Sequence, residues 1–255
     1  MELRVVGCHG GETPKHRTSA FVLDGKLALD AGSLTSGLDL RAQMRLQGCL
    51  VSHAHLDHIR DLATIADNRC QAGAPPLLVG ATRPTLAALK KHFFNNFIWP
   101  DFTAIPSVHQ PTLKFVELPL ERPVDIAGYE VRAVGVSHTI DTAGFIVRTK
   151  RGSIAYSGDT GPTDRLWTLL NKEPDLRALL VEVSFPNREQ RLATLSGHHT
   201  PRTVAEDLRK LVNVRDLPTL LYHIKPVFQA EVERECAKLK QLNITVPKLD
   251  ERYRF

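Results

Sequence analysis

The sequence contains few cysteines and no long hydrophobic run. Its cysteines are scattered over 255 residues and form no C-x-x-C pair: Cys8, Cys49, Cys70 and Cys236. This number is too small for a disulfide-stabilised scaffold, so reduced thiols are expected. No stretch approaches the roughly 18 consecutive apolar residues of a membrane span, and residues 1–30 carry charges in place of the apolar core of a secretory signal. The sequence therefore predicts a soluble, cytoplasmic protein with no membrane partner.

A strong charge bias, internal repeats and Gly/Ser-rich linkers are also missing. The formal net charge is +5 and the pI is about 9.1. This mild basic excess favours anionic ligands such as phosphates, but without a dense Lys/Arg block nucleic acid is not an expected partner. Hydrophobic residues make up 42% of the chain, which is enough for a sizeable core. One domain over residues 1–255 is predicted, with the helical and aromatic segment 82–106 as an insertion or an interface element.

Hydrophobic patterning predicts two β-rich halves, each combined with helices. Asp24-Gly25 lies between two short apolar runs and is a hairpin signal. Helices are predicted over residues 57–65, 82–94, 166–170, 200–212 and 230–242. Strands are predicted to dominate residues 113–157 and to recur at 178–183 and 219–223. This order predicts an α/β fold, a four-layer αββα sandwich.

Histidine is abundant, and one cluster of it is dense. Three of the eleven histidines fall within six residues, in the pattern H-x-H-x-D-H formed by His53, His55, Asp57 and His58. His53 and His55 are two positions apart, so in extended backbone their side chains lie on one face. Imidazole and carboxylate ligands together suit Zn²⁺, Mn²⁺ or Fe²⁺. The cluster predicts a metal site, and Asp57 and His58 are placed to approach a second ion beside the first.

Three further candidate ligands follow apolar strands elsewhere in the chain. His138 follows the run over residues 131–136, Asp159 follows 153–157, and His223 ends the run that begins at Thr219. Loops that leave the ends of strands often form active sites. Because one cluster cannot complete two metal sites, these residues are the expected additional ligands.

Together these residues resemble the metallo-β-lactamase superfamily of binuclear hydrolases, and the resemblance extends from Leu3 to about His223. It implies two divalent metal ions, with Zn²⁺ as the first expectation and Mn²⁺ or Fe²⁺ as alternatives. The β-lactamases themselves usually have Cys where this sequence has Asp159, so lactam chemistry is not expected. The resemblance implies two ligand sets, with Asp159 bridging both ions: His53, His55 and His138 for one ion, and Asp57, His58 and His223 for the other.

Further motifs are similar to those of class II 3′,5′-cyclic-nucleotide phosphodiesterases. They are H-A-H-L-D-H from His53, the Phe-Asn and Trp-Pro-Asp elements within 93–101, E-V-S-F from Glu182 and G-H-H-T-P from Gly197. The similarity implies hydrolysis of cAMP or cGMP to a 5′-monophosphate by a metal-bridging hydroxide. Asp61 and His199 depart from the usual motifs, which leaves the substrate preference open.

The similarity also assigns roles outside the ligand sets. His198 lies just before a predicted helix, where free backbone N–H groups favour anions. It would bind the phosphate or protonate the leaving oxygen, with Thr200 as a second substrate-binding residue. Asp57 is expected to orient the hydroxide as well as to bind metal. Glu182 is expected to accept a hydrogen bond from a metal-binding imidazole.

Other functions remain open at this stage. A ribonuclease that matures tRNA 3′ ends has the same ligand set, but no basic, Gly/Pro-rich insertion for gripping tRNA is present. A glyoxalase-type thiolester hydrolase would need a longer region after His223, and a non-catalytic binding member would not need the complete ligand set. A homodimer is expected. The aromatic residues around Trp99 could stack on a base, or they could contact the core or a partner subunit.

Overall fold

Two mixed β-sheets form the centre of the fold, and the computed structural model describes all 255 residues. The strands are β1 (Glu2–Gly7), β2 (Ala20–Leu23), β3 (Leu27–Leu29), β4 (Gly48–Leu50), β5 (Leu77–Ala81), β6 (Leu113–Glu117), β7 (Pro123–Ile126), β8 (Tyr129–Gly135), β9 (Ala143–Thr149), β10 (Gly152–Tyr156), β11 (Leu176–Glu182), β12 (Thr219–Tyr222), β13 (Ile244–Thr245) and β14 (Arg252–Arg254). Sheet 1 has the strand order β14-β1-β2-β3-β4-β5-β6, and sheet 2 has the order β13-β12-β11-β10-β9-β8-β7.

Helices cover the outer face of each sheet. The α-helices are α1 (Leu34–Gly37), α2 (Leu40–Arg45), α3 (Leu56–Gln71), α4 (Arg83–Ala88), α5 (Arg165–Leu170), α6 (Gln190–Ser196), α7 (Pro201–Leu208) and α8 (Gln229–Cys236). A π-helical turn (Leu89–Phe93) follows α4, and short 3₁₀ turns cover Asn187–Glu189 and Pro226–Phe228. No helix combines the length and the apolar character that crossing a bilayer requires.

Alternation along the strands divides the hydrophobic core into layers. In β3, Leu27 and Leu29 point into the core between the two sheets, whereas Ala28 packs on the helical side of sheet 1. Successive side chains of a strand face opposite sides, so each sheet has two buried faces. Ile59 and Leu62 of α3 pack against sheet 1, and Trp167 of α5 packs against sheet 2. The predicted four-layer αββα sandwich is confirmed.

Local sequence signals explain several of these elements. Asp24 and Gly25 have φ angles of 50° and 68°, as expected of a tight hairpin between β2 and β3. The helix predicted from Asp57 begins at Leu56 and continues to Gln71. The helix predicted over residues 82–94 changes to π-helical geometry at Leu89. The helices predicted to reach residues 212 and 242 end earlier, at Leu208 and Cys236.

The aromatic part of segment 82–106 packs against α3. Phe94 and Phe102 are buried in the outer core of sheet 1. The indole Nε1 of Trp99 donates a hydrogen bond to the carbonyl oxygen of Ala63 at 3.1 Å. Phe97, in contrast, is 90% exposed. The segment therefore contributes to the core while it presents an apolar side chain at the surface, and its role as an interface stays a prediction.

Candidate metal centre

The sequence-predicted ligands meet at one end of the two sheets. β4, β10 and β12 are followed by His53, Asp159 and His223, and His138 follows β8. His55 precedes α3, and Asp57 and His58 lie in its first turn. The structure brings all seven of these residues together, in overlapping groups whose ligand atoms lie within 4.8 Å of one another.

The first predicted ligand set forms a compact group of imidazole nitrogens. His53 Nε2 lies 2.9 Å from His55 Nδ1, and His138 Nε2 lies 3.2 Å from the same atom. Two nitrogens bound to one tetrahedral Zn²⁺ at about 2.0–2.1 Å would be roughly 3.3 Å apart. The spacing of these three nitrogens therefore suits a metal ion.

The second predicted set lies beside the first, with Asp159 between them. His223 Nε2 lies 3.3 Å from both His58 Nε2 and Asp57 Oδ2. Asp159 Oδ2 is 3.2 Å from each of these two imidazole nitrogens and 3.8 Å from His53 Nε2. The other carboxylate oxygen of Asp159, Oδ1, is buried and has no hydrogen-bond partner. A buried oxygen without a partner is unfavourable, and a cation would satisfy it.

Hydrogen bonds at the far side of the rings direct the lone pairs into the cluster. His138 Nδ1 donates to the carbonyl oxygen of Gly197 at 2.9 Å. His58 Nδ1 lies 2.6 Å from Asp30 Oδ2, which accepts its proton. In a neutral imidazole the second nitrogen then has a free lone pair. The Nε2 atoms of both rings therefore face the cluster, and the donor set fits divalent cations.

Asp30 was not identified from the sequence, yet it organises this side of the site. It follows β3, has a positive φ of 57° and is fully buried. Besides His58, its carboxylate accepts hydrogen bonds from the Ser52 amide at 2.7 Å, the Ser52 hydroxyl at 2.8 Å and the Tyr156 hydroxyl at 2.6 Å. The only sequence signal was a carboxylate at a strand end before Ala31-Gly32.

The electrostatics of the cluster favour bound cations. For Asp57, burial alone would raise the carboxyl pKa, but the hydrogen bond from His223 and the nearby imidazoles lower it. The pKa of Asp159 is likewise lowered well below its usual value, against burial, by His223 and His58. Burial lowers the pKa of His53 and of His223, which favours neutral rings. Burial would also lower the pKa of His58, but the carboxylates of Asp159 and Asp30 raise it well above the usual value, so a cation bound there would take the place of the proton on the ring. Ionised carboxylates and neutral imidazoles are the forms that bind metal.

Glu182 contacts His198 directly, rather than one of the predicted metal ligands. Its Oε1 lies 3.0 Å from His198 Nδ1, and its Oε2 accepts the Ser184 hydroxyl at 2.9 Å. The Ser184 oxygen also lies 2.9 Å from His223 Nδ1. Glu182 thus reaches a predicted ligand only through Ser184, which belongs to the E-V-S-F motif but whose role the motif alone did not indicate.

His198 lies beside the cluster, and Thr200 lies behind it. The ligand atoms of His198, His138 and Asp159 lie within 4.8 Å of one another. Thr200 is buried and caps α7: its hydroxyl accepts from the Thr203 amide and donates to Gln190 Oε1 at 2.8 Å. This cap fixes the backbone that carries His198, and a substrate contact by Thr200 stays a prediction.

The two residues that depart from the usual motifs make structural contacts. Asp61 Oδ2 accepts hydrogen bonds from the amide and the hydroxyl of Thr35, both at 2.7 Å, at the start of α1. His199 is fully buried, and its Nδ1 lies 3.0 Å from the Thr203 hydroxyl. Neither side chain belongs to the ligand groups, so both substitutions leave the cluster complete.

Backbone conformation brings the loops close to the cluster. Gly197 ends α6 with φ of 66°, and a Cβ atom there would lie 3.0 Å from the Cα of His138. A Cβ on Gly10 would lie 2.4 Å from the carbonyl oxygen of His223. His223 itself has a positive φ of 71°, a conformation that costs a non-glycine residue about 1–3 kcal/mol and that concentrates at functional sites.

An αββα sandwich with a buried cluster of imidazoles and carboxylates at one end defines a metal-binding protein. The sequence model described as "Beta-lactamase superfamily domain" matches residues 32–224. The chain belongs to this family. Membership of the metallo-β-lactamase superfamily and the predicted class, a metal-dependent hydrolase, are thereby confirmed, as is the prediction of divalent metal ions as cofactors.

Named relatives and solved structures extend this comparison. A probable 3′,5′-cyclic-nucleotide phosphodiesterase of Yersinia pestis is 25% identical, with 90% of this chain and 79% of the relative covered. A 3′,5′-cyclic-nucleotide phosphodiesterase of Aliivibrio fischeri is 28% identical, with 77% and 72% covered. The crystal structure of unliganded yeast PDE1 superposes with a TM-score of 0.82 at 19% identity, covering 98% of both chains. The structural likeness shows the shared fold.

Proposed function

We propose that this protein is a binuclear metal-dependent phosphodiesterase that hydrolyses 3′,5′-cyclic nucleotides, cAMP or cGMP, to 5′-monophosphates. The observation that carries the proposal is the grouping of two three-residue ligand sets around the buried Asp159. The names of the two relatives support cyclic nucleotides as the substrate class. Two divalent ions, with Zn²⁺ preferred over Mn²⁺ or Fe²⁺, would be held by His53, His55, Asp57, His58, His138, Asp159 and His223.

Ions bound there would lower the pKa of water and neutralise the phosphoryl oxygens.

The chain's own residues determine from which side the substrate approaches. His53, His58, Asp159 and His223 are buried, whereas other members of the cluster are only half-buried. The open side is therefore that of His55, Asp57 and His138. Asp57 on this side would orient the attacking water through its ionised carboxylate.

A cleft next to the open side offers room for the nucleoside. It has a volume of about 560 Å³ and is lined by His138, Thr139, Ile140 and Arg83, among others. Pockets for small molecules commonly have volumes of about 300–1,000 Å³. A cyclic phosphate placed at the metals would let the base extend along Ile140 into this cleft.

His198 would protonate the leaving oxygen. Its Nδ1 is held by Glu182, so Nε2 is the nitrogen available to the substrate. Burial would lower the pKa of His198, but the charge of Glu182 and its hydrogen bond raise it above the usual value. When the bond between phosphorus and O3′ breaks, O3′ takes the proton from Nε2 and leaves as a neutral hydroxyl.

Turnover of cyclic nucleotides by the metal-loaded protein tests this proposal. Purified protein reloaded with Zn²⁺ or Mn²⁺ would be assayed with 3′,5′-cAMP, 3′,5′-cGMP, 2′,3′-cAMP and bis(p-nitrophenyl) phosphate, beside a chelated control. Release of 5′-AMP or 5′-GMP with kcat/KM of about 10⁴ M⁻¹s⁻¹ or above is expected. Hydrolysis of the nitrophenyl ester alone would contradict the cyclic-nucleotide assignment, and cleavage of a 3′-extended tRNA precursor would favour the ribonuclease instead.

A further inference from the structure

A basic cleft lies at the end of sheet 1 that is remote from the histidine cluster. β3, β4, β5 and β6 are parallel, so their amino-terminal ends meet at one edge of the sheet and their carboxyl ends at the other. Lys26 precedes β3, Gln47 precedes β4 and Lys114 lies near the start of β6. The path from Gln47 through β4 to His53 is six residues, which corresponds to about 20 Å of extended chain. The cleft is therefore separate from the metal centre.

Unpaired cations dominate the lining of this cleft. It has a volume of about 720 Å³, and Lys26, Arg45, Arg69 and Lys114 line it. None of the four forms an ion pair with a carboxylate, whereas about half of the other arginines do, for example Arg4, Arg148 and Arg165. The one acidic lining residue, Asp24, already accepts hydrogen bonds from the Glu2 amide at 2.8 Å and the Tyr129 hydroxyl at 3.1 Å.

Arg69 provides an independent reason to expect an anion here. Its side chain is buried, with only 1% of the residue exposed, and no carboxylate compensates its charge. The guanidinium donates to the carbonyl oxygens of Gln43 at 2.8 Å and Pro75 at 2.6 Å, and Nε has no partner. A buried charge without a counter-ion is unfavourable, so an anion in the cleft would stabilise the folded protein.

The same basic surface continues beyond the cleft, and apolar side chains form part of its wall. A neighbouring depression shares Lys26 with the cleft and adds Lys150 and Arg151. The cleft wall includes Met44, Leu46, Pro75, Pro76 and Leu78. Cations suit the phosphate oxygens of a ligand, whereas the apolar wall suits a flat ring. The cations together with the apolar wall therefore favour a ligand that carries both a phosphate group and a flat ring.

We propose that this cleft binds a phosphorylated small molecule with a planar apolar group, of nucleotide size, independently of the metal centre. The volume lies within the range of about 300–1,000 Å³ that is usual for small-molecule sites. The basic cleft thus gives the protein a second ligand site, whatever substrate its metal centre hydrolyses.

Calorimetric titration of the metal-loaded, full-length protein with ADP tests the proposal, beside adenosine and inorganic pyrophosphate. ADP is expected to bind more tightly than either part alone, because it carries both chemical features. The double variant Lys26→Gln/Lys114→Gln is expected to weaken ADP binding by about tenfold or more. The matched variant Lys238→Gln/Lys240→Gln, which removes two exposed lysines outside the cleft, should retain the wild-type affinity. Bound ADP should also protect Lys26 and Lys114 from acetylation, as measured by mass spectrometry.

Three results would overturn the proposal. They are equal ADP affinity in the wild type and Lys26→Gln/Lys114→Gln, unchanged acetylation of Lys26 and Lys114 with ADP present, and binding of pyrophosphate or of an oligonucleotide as tight as that of ADP. The last result would assign the basic surface to phosphate groups in general or to nucleic acid. Thermal unfolding of both double variants checks that they fold, so that a loss of structure is not mistaken for a loss of ADP binding.

Discussion

At the scale of single residues, the candidate metal centre depends on side chains outside the predicted ligand sets. Asp30 holds the His58 ring, the Ser52 backbone and the Tyr156 hydroxyl in one buried group. A partner of this kind fixes the tautomer and the direction of a ligating imidazole. The H-x-H-x-D-H motif supplies the predicted ligand side chains, whereas Asp30 turns the His58 ring so that Nε2 faces the cluster.

Replacing Asp30 tests this orientation. Asp30→Asn is expected to lower metal affinity by about 10–100-fold, because the neutral amide no longer favours a proton on His58 Nδ1. Competition with a chromophoric chelator measures the affinity. Tyr156→Phe removes one other hydrogen bond to Asp30 and is the matched control, with a smaller expected loss. Equal metal affinity in Asp30→Asn and the wild type would show that the ring is fixed by packing alone.

Two substrates with different leaving groups test the proposal that His198 protonates the leaving oxygen. His198→Gln is expected to reduce kcat for cAMP by about 10²–10⁴-fold. The loss should be much smaller for bis(p-nitrophenyl) phosphate, because p-nitrophenolate leaves without protonation. His109→Gln, at an exposed position outside the ligand groups, serves as control. Equal losses for both substrates would assign His198 to phosphate binding rather than to proton transfer.

At the scale of elements, those with a clear local pattern of apolar residues or turn residues could be predicted. α3 could be predicted because Ile59, Leu62 and Ile65 recur at helical spacing. Among the short helices, α5 could be predicted from the apolar residues Leu166, Trp167 and Leu170, whereas α1, α2 and α6 have too few apolar residues at helical spacing. β14 was also missed, because its pairing with β1 joins opposite ends of the chain and no local signal reports it. The metal ligands could be found from chemical motifs, whereas Asp30 lies outside every motif and the contact of Ser184 with His223 depends on the tertiary fold.

The aromatic segment has its own polar clamp, and this clamp predicts a pH dependence. Asp101 accepts hydrogen bonds from the amide of Thr103 at 3.1 Å and from its hydroxyl at 2.6 Å, and it pairs with Lys90. Burial would raise the pKa of Asp101, but Lys90 and Thr103 lower it below the usual value. Because the pKa of Asp101 is lower in the folded state than in the unfolded state, the ionised carboxylate stabilises the folded protein. This stabilisation is fully present above the pKa of the unfolded state, about 4, and is lost as the pH falls through the pKa of the folded state.

Asp101→Asn is therefore expected to destabilise the protein by about 1 kcal/mol at pH 7. The difference from the wild type should shrink below pH about 4, where the wild-type carboxylate also becomes protonated. Urea unfolding at several pH values measures the free energy of unfolding of both proteins. Asp216→Asn, at an exposed turn position, provides a control for the loss of one negative charge. A difference that stays constant down to pH 3 would contradict the clamp.

At the scale of the whole molecule, the homodimer remains a prediction. Phe97 is 90% and Ile98 55% exposed on adjacent positions of the aromatic segment. We expect Phe97→Ser/Ile98→Ser to convert a dimer to a monomer in sedimentation measurements, because exposed apolar pairs favour burial on association. Val212→Ser, which changes another exposed apolar side chain, should leave the assembly unchanged. A monomeric wild type, or a double variant that stays dimeric, would refute this interface.

Metal removal should weaken the whole fold rather than the catalytic step alone. The cluster joins the ends of β4, β8, β10 and β12 with the start of α3, so bound ions would link both sheets. An ion at 1,000 times its dissociation constant stabilises the folded state by about 4 kcal/mol. For a chain of this size that corresponds to a fall in melting temperature of about 8–16 °C on chelation. Calorimetry with and without a chelator measures this difference.

Asp159→Asn should show a smaller fall in melting temperature on chelation, because the amide replaces the carboxylate that faces both ligand sets. An unchanged melting temperature after complete metal removal would mean that the protein chain alone preorganises the cluster.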